Sequence, residues 1–183
     1  IGIGSATRYT ILRSLGEEKE AEKYFSNSCI WAIILSMIFV TMGIFIPDTV
    51  LKFFGADTTI ETITLPYVKI VLCFAPFFML NYTFNAFVRN DGSPKIAMIA
   101  TLSSGIFNII FDYILMFPLG MGMTGAALAT GLSPIVNMSI CMVHYLSKNN
   151  NIKFKISIPS VKRLIMASSL GTVAFVGEIS NGI

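Results

Sequence analysis

The chain has 183 residues, of which 54% are hydrophobic and 13% charged, with a net charge of +3. Soluble domains carry about 25% charged residues, so this composition excludes an ordinary solvated domain and points to a bilayer. The basic residues lie between apolar runs and form no single stripe, which excludes a nucleic-acid face.

A membrane span needs about 20 mainly apolar residues. In chain order, residues 1–6 read as the tail of a span, and residues 8–25 as a polar loop. Within that loop Glu17, Glu18, Glu20 and Glu22 beside Lys19 and Lys23 suggest a short, solvated surface helix. Complete spans are expected at 26–46, 64–88, 96–117 and 123–146. Residues 147–160, with Asn149, Asn150 and Asn151, read as a tether between two halves of a larger protein, and a further span starts near Val161. The chain starts at Ile1 without a methionine or a signal-peptide pattern and stops at Ile183 inside an apolar run. We therefore expect a piece of a longer protein.

Lys and Arg residues alternate along the successive loops as four, one, two, none and five. Positive residues stay on the cytoplasmic side, which puts the first, third and fifth loops inside. Lys69 lies within the second complete span, near its outer end, from which its stem can snorkel. Trp31, Tyr67 and Tyr145 lie towards span ends, as an aromatic belt requires. Cys29, Cys73 and Cys141 stand far apart in apolar runs and match no metal or redox spacing, so they read as small buried hydrophobes.

Two acids interrupt apolar runs, Asp112 and Glu178. A charged side chain at the helix centre costs roughly 2.5–3.5 kcal/mol on insertion scales, so such residues mark ion paths, proton relays or substrate counter-ions. Ser104, Asn108 and Asp112 recur every four residues and so share one helical face. A protonated, hydrogen-bonded packing residue is the other reading of Asp112.

Asn108 and Thr130 are its expected partners, each with an oxygen that a hard cation accepts. Pro134 has no N–H, so the Thr130 carbonyl four residues earlier loses its helical partner; hydroxyl and carbonyl are then both available. Asn81 and Asn85 share one face of the second complete span below an expected kink at Pro76, and either line a polar cavity or bond between helices. Gly122, Gly125, Ala126 and Ala129 have the spacing of close helix packing. His144, the single histidine, lies at a span end and reads as structural. No nucleophile–base–acid set is visible.

Four stretches in order resemble the multidrug and toxic compound extrusion (MATE) family. GSATRYTILRSLGEEKEA from Gly4 looks like the cytoplasmic segment after the family's second span, and FVRNDGSPKIAM from Phe87 like the inner loop between its fourth and fifth. NIIFD, ending at Asp112, looks like the Asn-x-x-x-Asp of the fifth, and MGMTGAALAT, ending at Thr130, like the start of the sixth.

The resemblance implies an all-α polytopic membrane bundle: the end of span two, spans three to six and the first part of span seven. Residues 1–146 would form the amino-terminal lobe, 147–160 the cytoplasmic inter-lobe loop and 161–183 the start of the carboxy-terminal lobe. It implies an antiporter in a prokaryotic inner membrane, exporting amphipathic, often cationic compounds against inward Na⁺ or H⁺, with no cofactor. Asn108, Asp112 and Thr130 fall on its amino-lobe cation positions, Asn85 on a pocket-lining position and Glu178 near an acid of span seven. The implied partners are small amphipathic cations, membrane lipid and the missing remainder of the same transporter; without that remainder the fragment is not expected to transport.

The rival readings are a lipid or oligosaccharide flippase of similar helical plan, an intramembrane enzyme and a non-functional assembly fragment. A flippase more often presents a basic cavity for phosphate, whereas here the charges within the apolar runs are acidic.

Overall fold

The computed structural model of the protein describes residues 1–55, 58–148, 150–154 and 158–181, without the side chains of 58, 59, 173–175, 177–179 and 181. The described residues form an all-helical membrane bundle. Its helices are α1 (Gly2–Ser14), α2 (Glu18–Phe45), α3 (Pro47–Phe53), α4 (Thr58–Cys73), α5 (Ala75–Asn90), α6 (Pro94–Met116), α7 (Gly122–Tyr145) and α8 (Val161–Asn181).

Three of them, α2, α6 and α7, are each long and apolar enough to cross a bilayer, and α4 and α5 together make a fourth, bent by 50°. The bend falls at Phe74, and Pro76 sits in the first turn of α5, where its missing N–H is tolerated. The proline expected to kink one helix therefore starts a new one. Phe74 fits because Gly131 on α7 has no side chain: a Cβ there would lie 2.7 Å from the Phe74 ring.

The acidic run after Gly16 is not a separate surface helix. It forms the first turns of α2, which runs unbroken from Glu18 into the apolar stretch. Lys23 bonds Glu20, and Arg163 at the start of α8 reaches the same carboxylate at 3.3 Å.

Small residues set the closest crossings. A Cβ on Gly4 of α1 would overlap the Ala167 carbonyl of α8, and one on Gly125 of α7 would come 2.8 Å from the Leu115 backbone of α6. Ala129 is fully buried. Gly122 does not share this packing role; nothing lies within 4 Å of its Cβ position, and its φ of +52° supplies the helix entry instead.

An aromatic core closes one end of the bundle. Phe25 packs on Phe87 with ring centroids 4.9 Å apart and stacks on Tyr145 at 5.5 Å, while Tyr9 meets Phe87 at 5.3 Å. Tyr145 also donates to the Phe84 carbonyl at 3.3 Å, so it is a core residue and not part of an interfacial belt. Ile152, 3% exposed, is buried in the same cluster. The segment expected to be a tether is thus docked on the bundle at residues 150–152. It is held further by Asn150 on the Tyr145 carbonyl (2.9 Å) and by the Ser160 N–H on Asn27 Oδ1 (2.6 Å); Asn149 lies outside the described residues.

Candidate functional site

The sequence-predicted residues fall into two neighbouring groups on α5, α6 and α7. In the first, α6 lies along α7 and turns its polar stripe towards it. Asn108 Nδ2 reaches Thr130 Oγ1 at 3.5 Å, a contact at the outer limit of hydrogen bonding. Asp112 follows one turn later on the same face. Its Oδ1 is buried and has no hydrogen-bond partner. Among the described residues no basic side chain pairs with it. A buried carboxylate oxygen without a donor is costly unless a proton or cation satisfies it.

The Thr130 carbonyl freed by Pro134 is not left open as expected. Ser133 Oγ donates to it at 3.2 Å, which occupies one of its lone pairs. The oxygens along this face come from a carboxylate, an amide and a hydroxyl, all hard donors of the kind Na⁺ prefers over soft metals. Among the described residues no cluster of His, Cys, Asp or Glu with transition-metal character occurs.

The second group lines a cleft of about 260 Å³ between α1, α5, α6 and α7, edged by Asn81, Asn85, Arg89, Thr101, Ser104 and Asn137. Asn85 does both things left open from sequence: it lines the cleft and bonds between helices, donating to the Ala97 carbonyl at 3.1 Å, Thr101 Oγ1 at 3.1 Å and Asn137 Oδ1 at 3.3 Å. Ser104, on the same stripe as Asn108 and Asp112, connects the two groups. Glu178 lies on α8 with its side chain outside the described residues, so its relation to either group is not part of this site.

A third polar cluster escaped sequence reasoning. Asp91, in the turn after α5, has a fully buried side chain. It pairs with Arg13 Nη1 at 2.7 Å and accepts from Tyr9 at 3.1 Å and from the Asn151 N–H at 2.9 Å. His144 Nε2 lies 2.9 Å from Asp91 Oδ2, the oxygen that the Asn151 N–H also reaches. Gly92, with φ +87°, makes the turn that aims Asp91 inwards. These contacts join α1, the α5–α6 turn, the end of α7 and the segment after it. Sequence gives one signal only: the single histidine and a turn acid each lie beside an apolar span end.

Comparison with known proteins places the fold. The MatE family model matches residues 1–114. The multidrug export protein MepA of Staphylococcus saprophyticus is 32% identical over 186 residues, covering 100% of this chain and 41% of the relative. The chain thus spans about two fifths of the length of that relative. Among solved structures, an outward-facing MATE transporter of the MOP superfamily superposes with a TM-score of 0.85 at 22% identity, covering 98% of this chain and 40% of the other. An inward-facing one superposes at 0.84 and 24% identity, covering 93% and 40%.

Proposed function

The chain belongs to the MatE family, and from that premise we propose that it forms most of the amino-terminal lobe of a secondary antiporter. The carrier exports amphipathic, often cationic compounds in exchange for inward Na⁺ or H⁺, without a cofactor. The observation that carries this reading is Asp112, whose buried Oδ1 has no protein donor and which shares a face with the Asn108–Thr130 contact.

The mechanism is linkage. Protonation or Na⁺ binding neutralises Asp112 and weakens its hold on a cationic cargo. Reciprocity then requires the cargo to expel the ion. Where Na⁺ is the partner, Asp112, Asn108 Oδ1 and the Thr130 hydroxyl are the oxygens that would hold it. Cargo would occupy the neighbouring cleft at Asn85. Alternating access comes from rocking this lobe against its missing partner. Near-equal similarity to inward- and outward-facing relatives supports a lobe that moves as one body. The relative named above is a multidrug export protein, which favours this reading over the flippase alternative.

The test is efflux of a fluorescent cationic dye from vesicles holding the intact transporter that carries this segment, under imposed Na⁺ or H⁺ gradients. Asp112→Asn should abolish gradient-driven efflux while the folded protein remains in the membrane. Unchanged efflux removes Asp112 from the mechanism.

A further inference from the structure

Only Ile46 separates Phe45, the last residue of α2, from Pro47, the first of α3. α2 is long and apolar enough to span the bilayer, so α3 is held at the level where that span ends. The alternation of Lys and Arg along the loops puts this level at the outer face. α3 has seven residues, too few to cross a membrane, which takes about 20.

Those seven residues are sorted by polarity. At 3.6 residues per turn, Asp48, Thr49 and Lys52 fall on one side and Pro47, Val50, Leu51 and Phe53 on the other. Pro47 and Leu51 are buried, and Lys52 pairs with Glu61 of α4 at 3.8 Å. These two anchorages set the roll of α3. The rest of its apolar side is bare. Phe53 is 86% exposed and Phe54, just past the helix end, 80%. Their rings meet edge-on at 5.6 Å. Ile44, Phe45 and Ile46, at the junction of the two helices, are exposed as well. The patch runs on down α2, where Ile38, Thr41, Met42, Phe45 and Ile46 line a groove of about 430 Å³. The Thr41 hydroxyl is turned back onto the Met37 carbonyl at 2.7 Å, so the lining side chains offer a ligand hydrocarbon alone.

An apolar patch of this kind marks a protein or a membrane contact, and its side chains tell the two apart. Membrane helices meet each other through small residues. This chain does so at Gly4, Gly125 and Gly43, whose Cβ position lies 2.7 Å from Leu72 of α4. The patch instead carries phenylalanine and isoleucine, and it continues the exposed face of Ile34 and Ile38 on a spanning helix. Large, bare side chains in line with a span suit fluid acyl chains.

We propose that α3 is an interfacial anchor. It lies along the outer membrane boundary, with Phe53 and Phe54 inserted among the acyl chains of outer-leaflet phospholipids and its Asp48–Lys52 side towards water. The groove on α2 seats part of one such chain. α3 thereby fixes the depth of the outer ends of α2 and α4, which flank it. This role does not depend on what the carrier exports.

The test is photocrosslinking in the intact transporter that carries this segment. The near-isosteric aromatic p-benzoylphenylalanine replaces Phe53, Phe54, Asp48 or Thr49, one position at a time. The protein is reconstituted in vesicles of equal phosphatidylglycerol and phosphatidylcholine. On irradiation the benzophenone ketone inserts into a neighbouring C–H bond, forming a C–C bond and keeping its oxygen as a hydroxyl, so the adduct has the summed mass of protein and target. Size-exclusion confirms that each variant is folded; all four side chains are exposed, so the added bulk has room. The Phe53 and Phe54 positions should gain the mass of one phospholipid, and the Asp48 and Thr49 positions should not. A crosslink from Phe53 and Phe54 to another segment of the transporter shows protein over the patch and overturns the anchor. Absence of any adduct at both leaves α3 in water and overturns it too. Equal lipid adducts at Asp48 and Phe53 overturn the proposed orientation.

Discussion

Two acids in this chain have opposite surroundings. Asp91 has its carboxylate fully satisfied by Arg13, Tyr9, His144 and the Asn151 backbone, whereas Asp112 has a buried oxygen with no donor at all. Removing one partner of a buried ion pair leaves the other uncompensated and costs about 3–5 kcal/mol. Asp91→Ala should therefore lower the melting temperature in detergent sharply. Asp112→Asn breaks no ion pair and should leave it close to wild type; equal losses in both would contradict the contrast. Asp112 was legible in the sequence because an acid inside an apolar run has nowhere to hide. Asp91 was not, because it sits in a short Asn-Asp-Gly-Ser-Pro turn that reads as solvated. Its partners lie 53 to 82 residues away, beyond the reach of any local pattern. The Asn85 amide was legible as polar on a helical face, but its three acceptors on α6 and α7 come from packing alone.

The helices themselves follow from apolar length and helix-entry prolines, so their places were readable; their junctions were less so. Periodicity marks where a helix continues, not where charged residues are absorbed into it. The acidic start of α2 illustrates this, since Glu20 looks solvated in sequence yet meets Arg163 of α8 across the fold. The hydrogen bond from Lys23, with Arg163 adding to it, holds the Glu20 carboxyl below its ordinary range. A depressed folded value means that the contribution is present above the ordinary carboxylate value of about 4.3 and is lost as pH falls through the lower, folded value. Glu20→Gln should remove this acid-side component, so its melting temperature should fall less than that of wild type as pH drops below about 4. A parallel fall in both would show that the pairing of Glu20 with Lys23 and Arg163 adds nothing. The segment after α7 was misread for a related reason. Its asparagines suggest a free linker, while a single apolar residue, Ile152, docks it in the aromatic core.

At the scale of the whole molecule, the bundle buries little of α6, where only Ala97 and Ala100 are fully covered. Its polar stripe lies half-buried towards α7, and its remaining faces are exposed apolar surface such as Ile106, Ile109 and Ile110. The same fold superposes on an inward-facing and an outward-facing transporter. Family membership was legible because its motifs are short, ordered and spread along the chain. Which oxygens stay unsatisfied was not, because that depends on how α6 is turned against α7. Exchange at Asp112, as proposed, is read out by ligand-induced ion release. Purified intact transporter, loaded with Na⁺ or protons in weak buffer, is titrated with ethidium while free Na⁺ and pH are recorded. Wild type should release a cation as the dye binds, and Asp112→Asn should bind dye without release. Dye binding that releases no cation from wild type, or the same release from Asp112→Asn, would contradict it.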